Sequence, residues 1–248
     1  MTLDQLARAW HIAVKDIRTY YLKPPLISWG MLFPVVMILA FYLRAPGDLR
    51  DVAPGLVAMT VLFGATSVEA VVIAFEKRIG AMERLVMAPI SHHTLLVGKA
   101  ASGALFGLAA GGLVWLASSL GLGLPLAGGL PLGMIALSSA AFSLLGVLIS
   151  LVMREVFDAM AFSNAFRFPM IFLGGVFVPL GAMAPALRGV ASVLPLTYTV
   201  DALRHLSLGG AGAFYPLWLD WVVVLAYGVA LYWASLALLA RRLESLIE

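Results

Sequence analysis

The chain has 248 residues, of which 62% are hydrophobic and 12% charged, with a mean hydropathy of +1.00. A soluble domain carries about a quarter charged residues, so this inventory excludes an ordinary water-exposed surface and points to a membrane protein. The formal charge of +3 is too small for a nucleic-acid binder, and the lack of cysteine excludes disulfides and thiolate metal sites.

The N-terminal arm, TLDQLARAWHIAVKDIRTYYLK, carries Leu3, Leu6, Ala7, Trp10, Val14, Ile17 and Tyr21 at helical spacing. Asp4, Arg8, His11, Lys15 and Arg18 take the opposite face, and Thr2 with Gln5 fits a capping box. The pattern predicts a basic amphipathic helix lying in the membrane interface. Two roles fit it: an orientation anchor and a contact for a partner. No cleavable signal peptide is expected, because the first apolar run begins at Leu26 and is long enough to span.

A bilayer core of about 30 Å needs roughly 20 apolar residues in helical form. Six stretches meet that length: Leu26–Leu43, Pro54–Ala74, Ala100–Leu120, Pro131–Val152, Met160–Leu180 and Leu217–Leu239. With the N-terminus inside, the inner segments hold Arg8, Lys15, Arg18, Lys23, Lys77, Arg78, Arg84, Lys99, Arg154, Arg241 and Arg242. The outer segments hold only Arg44, Arg50, Arg188 and Arg204. Eleven against four places both termini in the cytoplasm.

A few polar residues fall inside spans, among them Glu69 near the inner end of span two, and Asn164 and Arg167 in span five. A charge at the bilayer centre costs about 2.5–3.5 kcal/mol on insertion scales, so such groups face protein or water. Either they line a pathway, or Glu69 and Arg167 pair with each other or snorkel to the inner headgroups; the structural role is favoured. Gly103, Gly107 and Gly111 give span three a small-residue stripe for close packing within or between subunits. Pro34 and Pro169 predict kinks.

Between spans two and three lies the most charged stretch, FEKRIGAMERLVMAPISHHTLLVGKA. Its ending imitates a phosphate-binding loop, but His93 stands where that motif needs glycine and Ala100 where it needs Ser or Thr. The histidines lie in the arm or loops, and no span pairs a serine with a histidine base. No enzyme and no bound cofactor or metal is expected in this chain. A helical portion over Glu76–Met87 should stop at Pro89, with Ser91 capping the next helix and Lys99 anchoring span three at the cytoplasmic surface. A short charged helix tied to two spans is shaped to transmit force from a soluble partner.

The outer segment, 181–216, is apolar but broken by Pro185, Pro195 and several glycines. Short helices dipping back into the outer leaflet suit it, where protein covers their broken backbone. The expected fold is thus an all-α polytopic membrane protein with six transmembrane helices. It forms a single transmembrane domain over 1–248: an amphipathic arm at 1–25, a cytoplasmic loop at 75–98, and re-entrant-type extracellular helices at 181–216 before the last span.

In the cytoplasmic loop, Glu76, Gly80, Glu83 and Leu85 precede Pro89, Ile90 and Ser91, then Gly98 and Lys99. The stretch resembles the first intracellular loop of type-2 ABC transporter permeases, with Ala81 in place of the usual threonine and Glu83 one position off. The run LGGVFVPLGAMAPALRGVASVLPLTYTVDALRHL is similar to the Gly–Val–Phe–x–Pro and Pro–Leu–Thr–Tyr stretches of the same family. The resemblance covers nearly the whole chain. It implies half of a transporter, completed by a second permease subunit, expected as a homodimer, and by two copies of a separate ABC ATPase that binds ATP and Mg. The arm would be a connecting helix. The loop would hold a coupling helix in which Glu76, Arg78, Gly80, Glu83, Arg84 and Pro89 meet the ATPase.

These features lead to an expected exporter of hydrophobic or amphiphilic molecules, drug-like or lipid-like, in the cytoplasmic (inner) membrane. An exporter of polysaccharide or lipid-linked glycan is the alternative within the architecture. An ion-coupled secondary transporter and a non-transporting scaffold are the alternatives outside it. A wide aromatic-lined tunnel would favour glycans; the abundance of Leu, Ala, Val and Gly in the spans favours apolar cargo.

Overall fold

The computed structural model describes residues 2–44, 49–87, 90–125, 128–153 and 155–244, and all regular structure among them is helical. The chain opens with α1 (Leu3–Asp16), which runs through a widened π turn (Ile17–Tyr21) into α2 (Pro24–Arg44). Next come α3 (Leu49–Arg78), the short α4 (Ala81–Met87), α5 (His92–Leu122) and α6 (Leu130–Val152). The chain continues through α7 (Val156–Leu173), α8 (Pro185–Ala191) and α9 (Pro195–Leu208) to the final α10 (Leu217–Glu244).

Among the described residues, α3, α5, α6, α7 and Leu217–Arg241 of α10 are each long and apolar enough to cross a membrane. The remaining expected span, Leu26–Leu43, coincides with α2, a 21-residue helix whose Met31–Arg44 part forms a shorter apolar segment. Of these helices α3 is the centre: 94% of its apolar stretch is buried, against 17% for α10. Leucines and valines that point outward from α5 and α10 carry no cost in lipid, which solvates them as well as a protein core would.

The glycine stripe of α5 explains how α3 is enclosed. A Cβ on Gly103 would stand 2.7 Å from Glu69 Cγ, and one on Gly107 would stand 2.8 Å from Ala65 Cβ. One on Gly111 would overlap Val61. The stripe therefore seats α5 on α3 within one subunit. Hydroxyls fasten neighbours further: Ser143 Oγ donates to the Ala100 carbonyl at 2.7 Å, and Ser138 Oγ and Thr199 Oγ1 lie 2.9 Å apart.

One expectation is corrected. Span five, read as Met160–Leu180, is α7, which starts at Val156 and ends at Leu173. The Gly174 N–H donates to the Met170 carbonyl at 2.7 Å, and Gly175 follows at φ 84, a turn that a side chain would strain. Within 181–216, α9 is a short, well-packed helix. In α9, Leu196, Thr197, Thr199, Val200, Asp201 and Ala202 are fully buried. The Asp201 carboxylate accepts the N–H groups of Phe214 and Tyr215 at 2.7–3.0 Å and fixes the turn into α10. Burial pushes its carboxyl pKa up, against the pull of those two N–H groups and of Arg204.

Candidate functional site

The end of the bundle that carries the charged loop is built on a closed ring of four charges. Lys99 at the start of α5 donates to Asp16 Oδ2 at the end of α1, at 2.8 Å, and to Glu76 Oε2 near the end of α3. Lys15 completes the ring, 2.6 Å from Glu76 Oε1 and 2.7 Å from Asp16 Oδ1, the latter without hydrogen-bond alignment. Three members are buried; the Lys15 side chain is 41% exposed. Burial would lower the Lys15 pKa, but the close Asp16 and Glu76 carboxylates outweigh it and raise it to about 12. Lys99 is thus a buried partner rather than a surface anchor.

Two turns deeper along α3, Glu69 Oε1 accepts the Tyr21 hydroxyl at 2.9 Å. Ser102 Oγ lies 2.5 Å from that oxygen and 2.6 Å from the Lys99 carbonyl, with one proton to give. The arm is consequently held to α3 and α5 at two levels. Its buried stripe is Ala9, Ile12, Ala13 and Asp16, packed where Gly98 leaves room, whereas Leu3, Leu6 and Trp10 point outward. The capping box forms as expected, with Thr2 and Gln5 exchanging backbone and side-chain bonds at 3.4 Å.

From this ring projects the loop. Gly80, at φ 69, breaks the expected Glu76–Met87 helix, so α3 ends at Arg78 and α4 begins at Ala81. Arg78 and Arg84 are exposed, and Met82 is buried in an apolar cluster with Ile12, Ile73, Leu95, Leu96, Leu151 and Leu239. Lys77 reaches the Ser150 and Met153 carbonyls at the end of α6. Ser91 caps α5 by accepting the Thr94 N–H at 3.1 Å. Glu83 lies on α4 with its side chain outside the described residues, and Pro89 lies outside them altogether.

The intramembrane polar residues separate into two sites. Glu69 joins the arm, and Arg167 belongs to a cavity of about 460 Å³ between α2, α3 and α7. Leu32, Phe33, Val36, Phe63, Val71, Met160 and Phe168 supply its apolar wall; Ser67, Asn164 and Arg167 are its polar groups. The Arg167 guanidinium stacks 4.8 Å above the Phe63 ring, donates to Ser67 Oγ, and donates from Nε to the Ser163 carbonyl at 3.2 Å. It is 5% exposed, and among the described residues no carboxylate pairs with it. The structure does not join Glu69 to Arg167.

A bundle of membrane-length helices with a charged loop seated on one end of its core has a counterpart among known families. The profile of the family described as "ABC-2 type transporter" matches residues 8–208. The chain belongs to the ABC-2 type transporter family. It is a membrane transport permease of the ABC type, and the matched region runs from α1 to the end of α9. The chain is 28% identical over 195 residues to the inner membrane transport permease YadH of Escherichia coli K12, covering 78% of this chain and 75% of YadH. It is 31% identical over 162 residues to the probable multidrug ABC transporter permease YbhS of the same organism, covering 64% of this chain and 43% of YbhS. To ABC transporter G family member 20 of Dictyostelium discoideum it is 26% identical over 197 residues, and there the chain spans only 27% of the relative's length.

Proposed function

We propose that this ABC-2 permease is the membrane-spanning subunit of an ATP-driven exporter of hydrophobic or amphiphilic molecules in the inner membrane. The observation that carries the reading is the seating of α4. Its Met82 is held in one apolar cluster with α1, α3, α5, α6 and α10, and the charge ring locks the two helices on either side of it. A push on α4 therefore moves the bundle instead of bending a loop. Arg78 and Arg84, exposed beside it, suit an acidic rim on a separate ATPase subunit that holds ATP and Mg. Glu76, spent inside the ring, acts in this scheme by stiffening the base of the loop.

In the complete machine two permease copies and two ATPase copies work together. Closure of the ATPase pair on ATP tilts α4, and the tilt reaches the arm through Asp16 and Glu69. In this reading α2 is the sixth span, both termini are cytoplasmic, and α8 with α9 re-enters the outer leaflet. The similarity to YbhS, a probable multidrug permease, and to YadH, an inner membrane one, supports the cargo class and the location. The Phe33 and Phe63 rings stack on each other at 5.0 Å, with Phe168 edge-on. Rings engaged with one another leave few free faces and few hydrogen bonds for a sugar, which favours apolar cargo over a glycan.

The test is a pull-down in mild detergent followed by ATP hydrolysis, wild type against the Arg78→Ala, Arg84→Ala double variant. The expected result is co-purification of an ABC ATPase with the wild type and its loss or uncoupling in the variant, whose melting temperature is unchanged. A wild type that captures no ATPase would overturn the reading.

A further inference from the structure

We propose that the Arg167 cavity is a binding site for single-chain amphiphiles with an acidic headgroup, the guanidinium receiving the headgroup and the phenylalanine wall receiving the chain. This deepens the exporter reading and rests on it for the role of the ligand as cargo. Three observations converge on it. The cavity, at about 460 Å³, falls within the usual range of ligand pockets of roughly 300–1,000 Å³, and its lining is apolar apart from one small cluster. That cluster holds one cation and two neutral groups, so the cavity carries an unbalanced positive charge. Finally, Arg167 spends its described contacts on a hydroxyl, a carbonyl and a ring, none of which neutralises it. A buried charge without a counter-ion is costly, and an anion entering the cavity offsets that cost with charge-assisted hydrogen bonds.

Depth distinguishes this occupant from a bilayer lipid at rest. Ser67, which Arg167 contacts, stands eleven residues before Arg78, about 16 Å along α3 at 1.5 Å per residue. The midpoint of the 30-residue helix is therefore only about 5 Å away. Headgroups of a resting leaflet lie about 15 Å from the bilayer centre. An anion held by Arg167 is thus a headgroup drawn well below that plane, as a molecule in transit would be. Asn164, half-buried one turn before Arg167 on α7, adds an amide that can donate to the same headgroup.

The experiment uses the full-length permease in phosphatidylcholine nanodiscs, without ATPase, and a dansyl-tagged undecanoate whose fluorescence rises on entering an apolar site. Its uncharged methyl ester and the matching undecylamine serve as charge controls. The expected order of affinity in wild type is carboxylate, then ester, then amine, with at least tenfold between the first and last. Arg167→Gln should remove that preference, and Arg167→Lys should restore part of it. Equal binding of all three probes by the wild type would overturn the proposal even if no variant folds. Full displacement of the probe by a small fraction of phosphatidylglycerol would also overturn it, assigning the cavity to a resident lipid. Failure here leaves ATPase capture intact, and failure to capture an ATPase leaves this binding intact, so the two readings fail separately.

Discussion

Lys99 Nζ lies 2.8 Å from Asp16 Oδ2, although 83 positions separate them in the chain. That contact closes the arm onto α5 and, through Glu76, onto α3. Its members are buried on both sides, so the arm is an integral part of the bundle at this level and not a helix resting loosely on lipid.

Lys99→Met leaves the Asp16 and Glu76 carboxylates to share Lys15 as their one cation in the ring. Removing one partner of a buried ion pair costs about 3–5 kcal/mol. We expect a lower thermal midpoint in detergent, and a Lys99→Met, Asp16→Leu double variant less destabilised than the sum of its single changes. Additive losses would mean that the two groups do not depend on each other.

The ring also sets a pH response. Lys15 gains its partners on folding, so its folded pKa of about 12 exceeds an unfolded value of about 10.4. Its contribution is whole below the unfolded value and is lost as pH rises through the folded one. The gap in melting temperature between wild type and Lys15→Met should hold steady from neutrality to about pH 10 and then narrow. Narrowing near neutrality would implicate another group.

Close helix approach gives a third test. A Cβ on Gly55 would stand 2.8 Å from the Val176 Cα, which is backbone and cannot step aside. Gly55→Ala should destabilise by about 1–3 kcal/mol. Gly121→Ala, with open space around it, should be neutral or stabilising by up to about 1 kcal/mol. The pair, measured by the same melt, separates packing from helix propensity.

Asp201→Ala removes the acceptor for two backbone N–H groups at the turn before α10. Bonds to a charged acceptor contribute about 1.5–3 kcal/mol each. Amide exchange at Phe214 and Tyr215 should accelerate sharply, while exchange in α3 changes little. Uniform acceleration throughout the bundle would point to global unfolding instead.

Much of this architecture was legible in the sequence because lipid imposes a coarse rule: a spanning helix must be long and apolar. Hence α3, α5, α6 and α10 lie close to where composition puts them, and Thr2 and Ser91 cap the helices their local chemistry predicts. The end of α7 was missed because Phe177 and Val178 are as apolar as a span; only the Gly174–Gly175 pair marks the turn. The charge ring was missed for a different reason. Along the arm, Leu3, Leu6 and Trp10 make the more hydrophobic stripe, but that stripe faces outward. The stripe that packs is Ala9, Ile12, Ala13 and Asp16, small residues ending in a carboxylate, and its spacing was there to be read. Glu69 and Arg167 could not be separated from composition, since which side of α3 each partner occupies is a tertiary fact.

The contrast between a sheathed α3 and a bare α10 has a practical consequence. Val229 and Trp233 of α10 are about half exposed, and the native chain contains no cysteine. One thiol placed at either site would therefore be the sole target for a spin label or fluorophore. In the proposed dimer, pairs of such labels, one per subunit, would report how far the outer walls separate as nucleotide is bound and released.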